Sequence, residues 1–196
     1  HGYQEVSIRK IAEKIEYSPA AIYSYFPSKD DIFFALAEEG FRLLFSYADM
    51  SASRTDGDPA DLIRRQFWRF YEFSKEHPEY FALMFLDRTV PRISQNWDRF
   101  ALVTEKKQDM LVGIQRAIDA GAFPAGTQPY AVFHIILAAI HGVASMRLCD
   151  RMAHGEDADA LARAMLTTVI SGLKSGAARD LKLFECSKPY NEDLPS

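Results

Sequence analysis

Only two cysteines occur in the 196 residues, Cys149 and Cys186, and they stand in no regular spacing. A cystine framework and a zinc finger are thereby excluded, and this usage suits a reducing cytoplasm. Strand signals are nearly absent. No secretory signal is visible at the N-terminus. The longest apolar run, residues 130–145, is interrupted by His134, His141 and Gly142 and is too short to span a bilayer, so no membrane partner is expected. The constellations that enzymes need are missing as well: no paired E-x-x-H ligands, no nucleophile beside a base, no Gly-rich phosphate loop. No catalytic residue and no cofactor are therefore expected. Positive charge is in short supply too, with a formal net charge of −4. What remains is an all-α chain, long enough for a small head and a larger body with a sizeable core.

The head is written in residues 7–29, SIRKIAEKIEYSPAAIYSYFPSK. Ser7 is placed to cap a short helix whose apolar side is Ile8, Ile11, Ala12 and Ile15. Glu16 and Tyr17 break that pattern. Ser18 then offers a second cap, and Pro19 falls at the first helical position, where its missing N–H costs nothing. In the second helix Ala21, Ile22 and Phe26 turn inward, leaving Pro19, Ala20, Ser24 and Tyr25 on other faces. Pro27 stops it, and Ser28 caps a longer helix from Lys29. Two short helices joined by a tight turn are the pattern of a helix-turn-helix, whose second helix here presents small residues and hydroxyls. Small residues let a helix backbone approach base edges in a major groove, while hydroxyls and a lysine reach phosphates.

The strings G-Y-x-x-x-S-I-R-x-I-A and S-x-x-x-I-Y-x-Y-F-x-S-K, running from Gly2 to Lys29, resemble the DNA-binding domain of the TetR/AcrR family of bacterial transcriptional regulators. The resemblance extends without a gap to about Leu36. It implies that Ser7, Tyr23, Tyr25 and Lys29 contact phosphates and that Ser18, Pro19, Ala20, Ala21 and Ser24 lie at or near base edges. Two departures stand out. Glu16 occupies the turn position that is usually Gly in that family; a left-handed backbone there costs a non-Gly residue about 1 kcal/mol. The family's domain also opens with a helix ahead of the position of Gly2, so the first helix is expected to be missing here and a segment is expected to precede His1. Charge adds little: through Ser46 the basic residues Arg9, Lys10, Lys14, Lys29 and Arg42 face Glu5, Glu13, Glu16, Asp30, Asp31, Glu38 and Glu39, a net of −2. Affinity for DNA would rest on local patches.

The body follows as further helices: Lys29 to about Ala48, Asp58-Pro59 to about Glu76, Glu79 to Asp87, Ser94 to about Ala120, Gln128 to about Met152, and Asp157 to Lys174. The expected division is residues 1–46 as the DNA-binding domain and residues 47–196 as a helical effector-binding and dimerisation domain, with the tail from Ser175 unassigned. Phe67, Phe70, Tyr71, Tyr80, Phe81, Met84, Phe85, Trp97, Phe100, Tyr130 and Phe133 fall on four successive helices. By spacing alone such stripes are core. The resemblance implies an inducer cavity among them, so Phe67, Phe70, Tyr71, Phe81, Met84, Phe85, Trp97, Phe100, Phe133, His134 and Leu137 are expected to line a site for a small, largely hydrophobic effector. HPEYFALMF and IHGVASM are similar to segments of one subgroup's effector domain, without the Trp that subgroup carries before its His-Gly pair.

His134 and His141 stand seven residues apart, about 10.5 Å of helical rise, too far to share one ion, so no metal is expected. His134 is assigned to the pocket wall. His141-Gly142 reads as packing, with Gly142 admitting a close helix. Between Ala131 and Ser145 the helix is apolar almost all round, so something must cover its second face. Ile136, Ile140 and Val143, with Leu161, Met165 and Val169 of the last helix, are therefore expected at a two-fold, four-helix homodimer interface. Together these readings describe a cytoplasmic repressor, a homodimer on a double-stranded palindromic operator, released by its effector. The rival is a ligand carrier or interaction protein of the same fold that has lost specific DNA binding.

Overall fold

The computed structural model describes residues 2–49, 58–91, 97–181 and 183, and these form helices without a single strand among them. All but Asp58 of the loop expected over residues 50–58, the helix start expected at Ser94, Cys186 and most of the tail lie outside the described residues.

The head is α1 (Gly2–Glu5), α2 (Ile8–Lys14) and α3 (Pro19–Tyr25). A helical turn, to which the sequence reading assigned no element, precedes the two-helix unit. Ser7 and Ser18 cap as their positions require, accepting from the N–H groups of Lys10 at 3.2 Å and Ala21 at 3.1 Å. Ile8, Ala12 and Ile22 make a small separate core, with Phe26 and Ile32 packed on it. Ile15 does not join: as the C-cap of α2 it is 49% exposed, and Ala21 is only half-buried.

The turn after α2 closes as a Schellman motif, Tyr17 N–H donating to Ala12 O at 2.9 Å and Glu16 N–H to Glu13 O at 3.3 Å. That geometry puts Glu16 at φ 58°, the left-handed region where a side chain is strained. Glu16→Gly is therefore expected to stabilise the chain by up to about 1 kcal/mol, roughly 2–4 °C in Tm by calorimetry.

Helix α4 (Lys29–Asp49) begins on a capping box. Ser28 Oγ accepts from Asp31 N–H at 3.2 Å, and the Asp31 carboxylate accepts from Ser28 N–H at 3.1 Å and its hydroxyl at 2.7 Å. Ile32 of this helix packs on the head, whereas Phe33, Phe34, Ala37 and Phe41 enter the body core. One helix thus belongs to both units. Leu36, expected on its apolar side, is 42% exposed.

The body continues with α5 (Pro59–Glu76), capped by Asp58, then α6 (Pro78–Phe81), which widens into a π turn over Ala82–Leu86. The π turn closes where Asp87 N–H donates to Ala82 O at 2.8 Å. Gly40 lets α4 cross this segment, since a Cβ there would run into the Met84 sulfur and the Tyr80 ring. A 3₁₀ turn (Trp97–Phe100), where the sequence reading has α-helix, leads into α7 (Ala101–Asp119).

Helices α8 (Pro129–Leu148) and α9 (Ala158–Lys174) complete the bundle. Helix α8 stops at Leu148, before the expected Met152, because Asp150 takes a positive φ of 52°. At 20 residues and a mean hydropathy of 1.6 it is long and apolar enough to cross a membrane by length and composition, contrary to the sequence reading. A third of that stretch is accounted for by packing: Ala131, Val132, Ile136, Ile140, Val143 and Ala144 are buried in the chain's own core.

Candidate nucleic-acid interface and aromatic core

On α3 Ile22 is buried and Ala21 half-buried, and the other residues face out. Pro19, Ala20 and Ser24 are exposed, Tyr23 is 52% exposed and Tyr25 78%. The Ser24 hydroxyl donates to Ala21 O at 2.7 Å, leaving its lone pairs outward. Tyr17, which the sequence reading did not single out, stands 61% exposed in the turn and adds a third surface phenol beside Tyr23 and Tyr25. Arg9 on α2 is also exposed and was passed over, although it lies within the matched S-I-R string.

Lys29 is placed differently from its expected phosphate role. It is half-buried, its Nζ donates to Tyr3 O at 3.0 Å, and it lies 4.2 Å from the Tyr3 ring centre. The Tyr3 hydroxyl in turn donates to Asp30, and burial first, then that carboxylate, pushes the phenol pKa up. Lys10 Nζ likewise donates to Glu5 O at 2.9 Å. Two of the head's lysines thus hold α1 in place.

In the body the aromatic stripes converge as packed rings. Phe81, fully buried, lies 5.2 Å from Phe70, 5.0 Å from Phe85 and 5.6 Å from His141, measured between ring centres. Phe41 joins Phe85 at 5.9 Å to Phe100 at 5.8 Å, and Phe67 meets Phe133 at 5.8 Å. Tyr71 is buried, but its hydroxyl leaves the cluster for Asp159 at 2.9 Å, where Lys75 also pairs at 2.6 Å. Lys75 foremost, with Tyr71, holds the Asp159 carboxyl below its ordinary range. Met84 is buried beneath Gly40, Leu137 is half-buried, and the Trp97 side chain lies outside the described residues.

Phe67, Phe70, Phe81, Phe85, Phe100 and Phe133 of the expected lining set are therefore brought together as core, ring against ring. Two surface clefts stand elsewhere. One, of about 320 Å³, is lined by Tyr25, Phe26, Pro27, Asp31, Phe34, Ala35, Glu38, Arg99 and Phe100. The other, of about 450 Å³, lies at the α8–α9 turn beside Arg147 and His154. Among the described residues of the expected lining set, Phe100 alone reaches either.

The two histidines lie in different surroundings, His141 packed in the core and His134 near its edge. His134 stacks on Tyr130 at 5.4 Å, with Nδ1 2.9 Å from Tyr130 O, at the outer end of α8. His141 sits among Phe70, Phe81 and Phe85, with Ser145 Oγ 3.5 Å from Nδ1. Desolvation there disfavours the imidazolium and lowers the His141 pKa. The unfolded chain then takes up the proton more readily than the folded one. Stability is expected to fall as pH drops through about 6.5 towards the lowered folded value. Melting curves at pH 8 and pH 5 check this: the drop should be smaller for His141→Phe than for the native chain.

Three of the residues expected at a two-fold interface are core instead. Ile136 and Ile140 are fully buried and Val143 is 2% exposed, all within the chain's own core, so they are not available to a second chain. The opposite side of α8 carries Ile135, Ala138, Ala139, Gly142 and Met146, with Ala138 and Met146 exposed. A Cβ on Gly142 would meet nothing within 4 Å, so this glycine admits no helix of its own chain. Leu161, Met165 and Val169 on α9 are half-buried.

Comparison with known proteins places these features in context. Residues 1–36 match the family model described as bacterial regulatory proteins, tetR family, and residues 63–169, more than half of the chain, match the tetracyclin repressor-like C-terminal domain. Among solved structures, the TetR family transcriptional regulator PfmR from Thermus thermophilus superposes with a TM-score of 0.64 at 18% identity, covering 87% of this chain and 91% of that one. The transcriptional regulator FadR from Bacillus subtilis, solved in complex with stearoyl-CoA, gives 0.70 at 15% identity, covering 87% and 90%. At such identities the likeness is one of fold. The nucleoid occlusion factor SlmA of Haemophilus ducreyi is 32% identical over 77 residues, 39% of this chain and 38% of that protein, so the match spans well under half of the relative's length.

Proposed function

Because the chain belongs to the TetR family of bacterial regulatory proteins, which are DNA-binding regulators and not enzymes, we propose that it is a one-component repressor: a cytoplasmic homodimer on a palindromic operator, released by a small, largely hydrophobic effector. The observation that carries the DNA-binding half is the surface of α3, where Pro19, Ala20, Ser24, Tyr23 and Tyr25 face solvent over a buried Ile22. Pro19, Ala20, Ala21, Ser24 and Ser18 serve base edges. Ser7, Tyr23 and Tyr25 serve phosphates, and Lys29 acts chiefly by holding Tyr3.

The dimer closes through Ile135, Ala138, Ala139, Gly142 and Met146 of α8 with Leu161, Met165 and Val169 of α9. Two copies of α8 and α9 make a four-helix contact that presents recognition helices at half-sites about 34 Å apart or a multiple. The effector acts on the aromatic core around Phe81, Phe85 and His141, and it must favour a dimer geometry that no longer fits the operator, since only differential affinity shifts an equilibrium. A coupling of about 1–3 kcal/mol weakens operator binding some 5- to 150-fold.

A second reading, a carrier that has lost specific DNA binding, is favoured by one observation: Lys10 and Lys29 are both engaged with main-chain carbonyls, in a head with few other cations. Pull-down of genomic DNA fragments by the protein at stated salt separates the two. Recovery of a few palindromic sites supports the repressor; recovery of none, with apolar ligands still bound, supports the carrier. On a recovered site, Tyr25→Ala should weaken all sequences alike. Ser24→Ala or Ala20→Leu should instead change the preferred bases, by about 1–3 kcal/mol per contacted pair in competition binding.

A further inference from the structure

Helix α4 carries the head, yet a change of partners between Ile32 and Phe33 leaves a natural pivot there. Ile32 packs on the head core and its neighbour Phe33 on the body core. Beside that pivot lies the 320 Å³ cleft, lined by the end of α3 (Tyr25, Phe26, Pro27) and by Arg99 and Phe100 of the body. The recognition helix therefore ends beside open space on this side, while on the other side of the head Tyr3 packs on Phe33 at 5.8 Å, so a tie across the cleft is what can set its angle here.

Arg99 reaches across. Its Nη2 donates to Asp31 Oδ1 at 2.9 Å, and its guanidinium lies 4.7 Å from the Phe34 ring centre. The other oxygen of the same carboxylate accepts from Ser28 N–H and Oγ, which sit directly after the α3 terminus. One carboxylate thus joins the start of α4 to the start of α7. Behind Arg99, Phe100 is 2% exposed and packs against Phe34 at 6.0 Å and Phe41 at 5.8 Å. The residue is rooted in the body by its neighbour and touches the head with its tip. Across the head, Tyr3 N–H donates to the Asp87 carboxylate at 3.4 Å, a second tie between head and body.

We propose that Arg99 is a positioning residue, a strut from the body core to Asp31 that fixes the tilt of the DNA-reading head and, in the dimer, the separation of the two recognition helices. The last clause rests on the dimeric DNA-binding reading; the first does not. The Arg99 side chain is 49% exposed and that of Asp31 25%, so the contact is weak in total stability and salt-sensitive. It biases an orientation without being needed for folding.

Hydrogen exchange on the full chain tests the strut without DNA. In Arg99→Ala, amides of residues 3–6 and 28–32 should exchange about three- to tenfold faster, while those of α8 and α9 stay unchanged. Arg99→Lys, which keeps the charge and loses the planar stacking on Phe34, should fall between. Arg64→Ala, which breaks an ion pair with Asp61 inside α5, should leave the head unaffected. Head amides within twofold of the native chain in Arg99→Ala, or equal acceleration throughout α8 and α9, would overturn the proposal. Binding to operators whose half-site spacing is varied one base pair at a time tests the second clause. Arg99→Ala should discriminate among spacings several-fold less than the native chain, with an isolated half-site bound equally. An unchanged spacing profile overturns that clause. A native chain indifferent to spacing overturns the dimer reading instead, and the exchange result still decides on the strut.

Discussion

Glutamate in place of Ala138 is expected to leave the protomer folded and to abolish its dimer. Ala138 is exposed on the outer side of α8, beside Ala139 and Gly142, so the longer side chain meets no atom of its own core. Once a second chain covers this stripe, each copy places an unpaired carboxylate in an apolar contact. The cost is about 3–5 kcal/mol for each buried, unpartnered charge, and two-fold symmetry makes it enter twice. The dimer constant should weaken by roughly four orders of magnitude or more, read by sedimentation, with the melting temperature of the protomer nearly unchanged. Operator affinity falls with it, because a single head can engage only one half-site. A dimer that survives Ala138→Glu would show that the chain associates through another face.

Phe81→Ala is expected to be the most damaging single change in the body. Phe81 is fully buried and its ring touches Phe70, Phe85 and His141. Truncating such a ring typically costs about 3–5 kcal/mol, the lost transfer energy plus the cavity left behind. That is a large share of the ~5–15 kcal/mol that holds a typical domain together, and for a chain of this size it lowers Tm by roughly 6–20 °C. Phe81→Leu, which keeps most of the volume, should cost less than half as much. The measurement also separates packed core from open pocket. A loss under about 1 kcal/mol would mean that Phe81 borders space already empty, with little packing to lose.

Local rules carried much of the sequence reading. Ser7, Ser18, Ser28 and Asp58 all cap helices, because a cap depends on a side chain and backbone N–H groups two or three residues away. Pro19 opens α3 for the same reason of short range. Glu16 stood out only through the resemblance, as the residue at a turn position that is usually Gly, and its φ of 58° shows the left-handed backbone there.

Where the reading failed, sequence distance was the wrong measure. His134 and His141 lie two turns apart on nearly the same side of α8, and periodicity could not rank them. Their difference comes from height along the helix: His141 is level with Phe81 and Phe85, whereas His134 is level with Tyr130 and Phe133. The interface residues failed for a related reason. A helix apolar on every side announces that both faces are covered without saying by what, so Ile136, Ile140 and Val143 were assigned outward when the core of their own chain already held them. Lys29 is a third case, since its partner, the carbonyl of Tyr3, lies on a turn whose helical state was not anticipated.

By itself the sequence determined the helical class, the caps, the two-helix reading head and the family, because each rests on interactions within a few residues or on a contiguous string. Only the tertiary structure decided which side of α8 is core, which histidine is buried, and how Arg99 and Asp87 tie the head to the body. Those outcomes depend on contacts between residues as much as 84 positions apart, which no local period encodes.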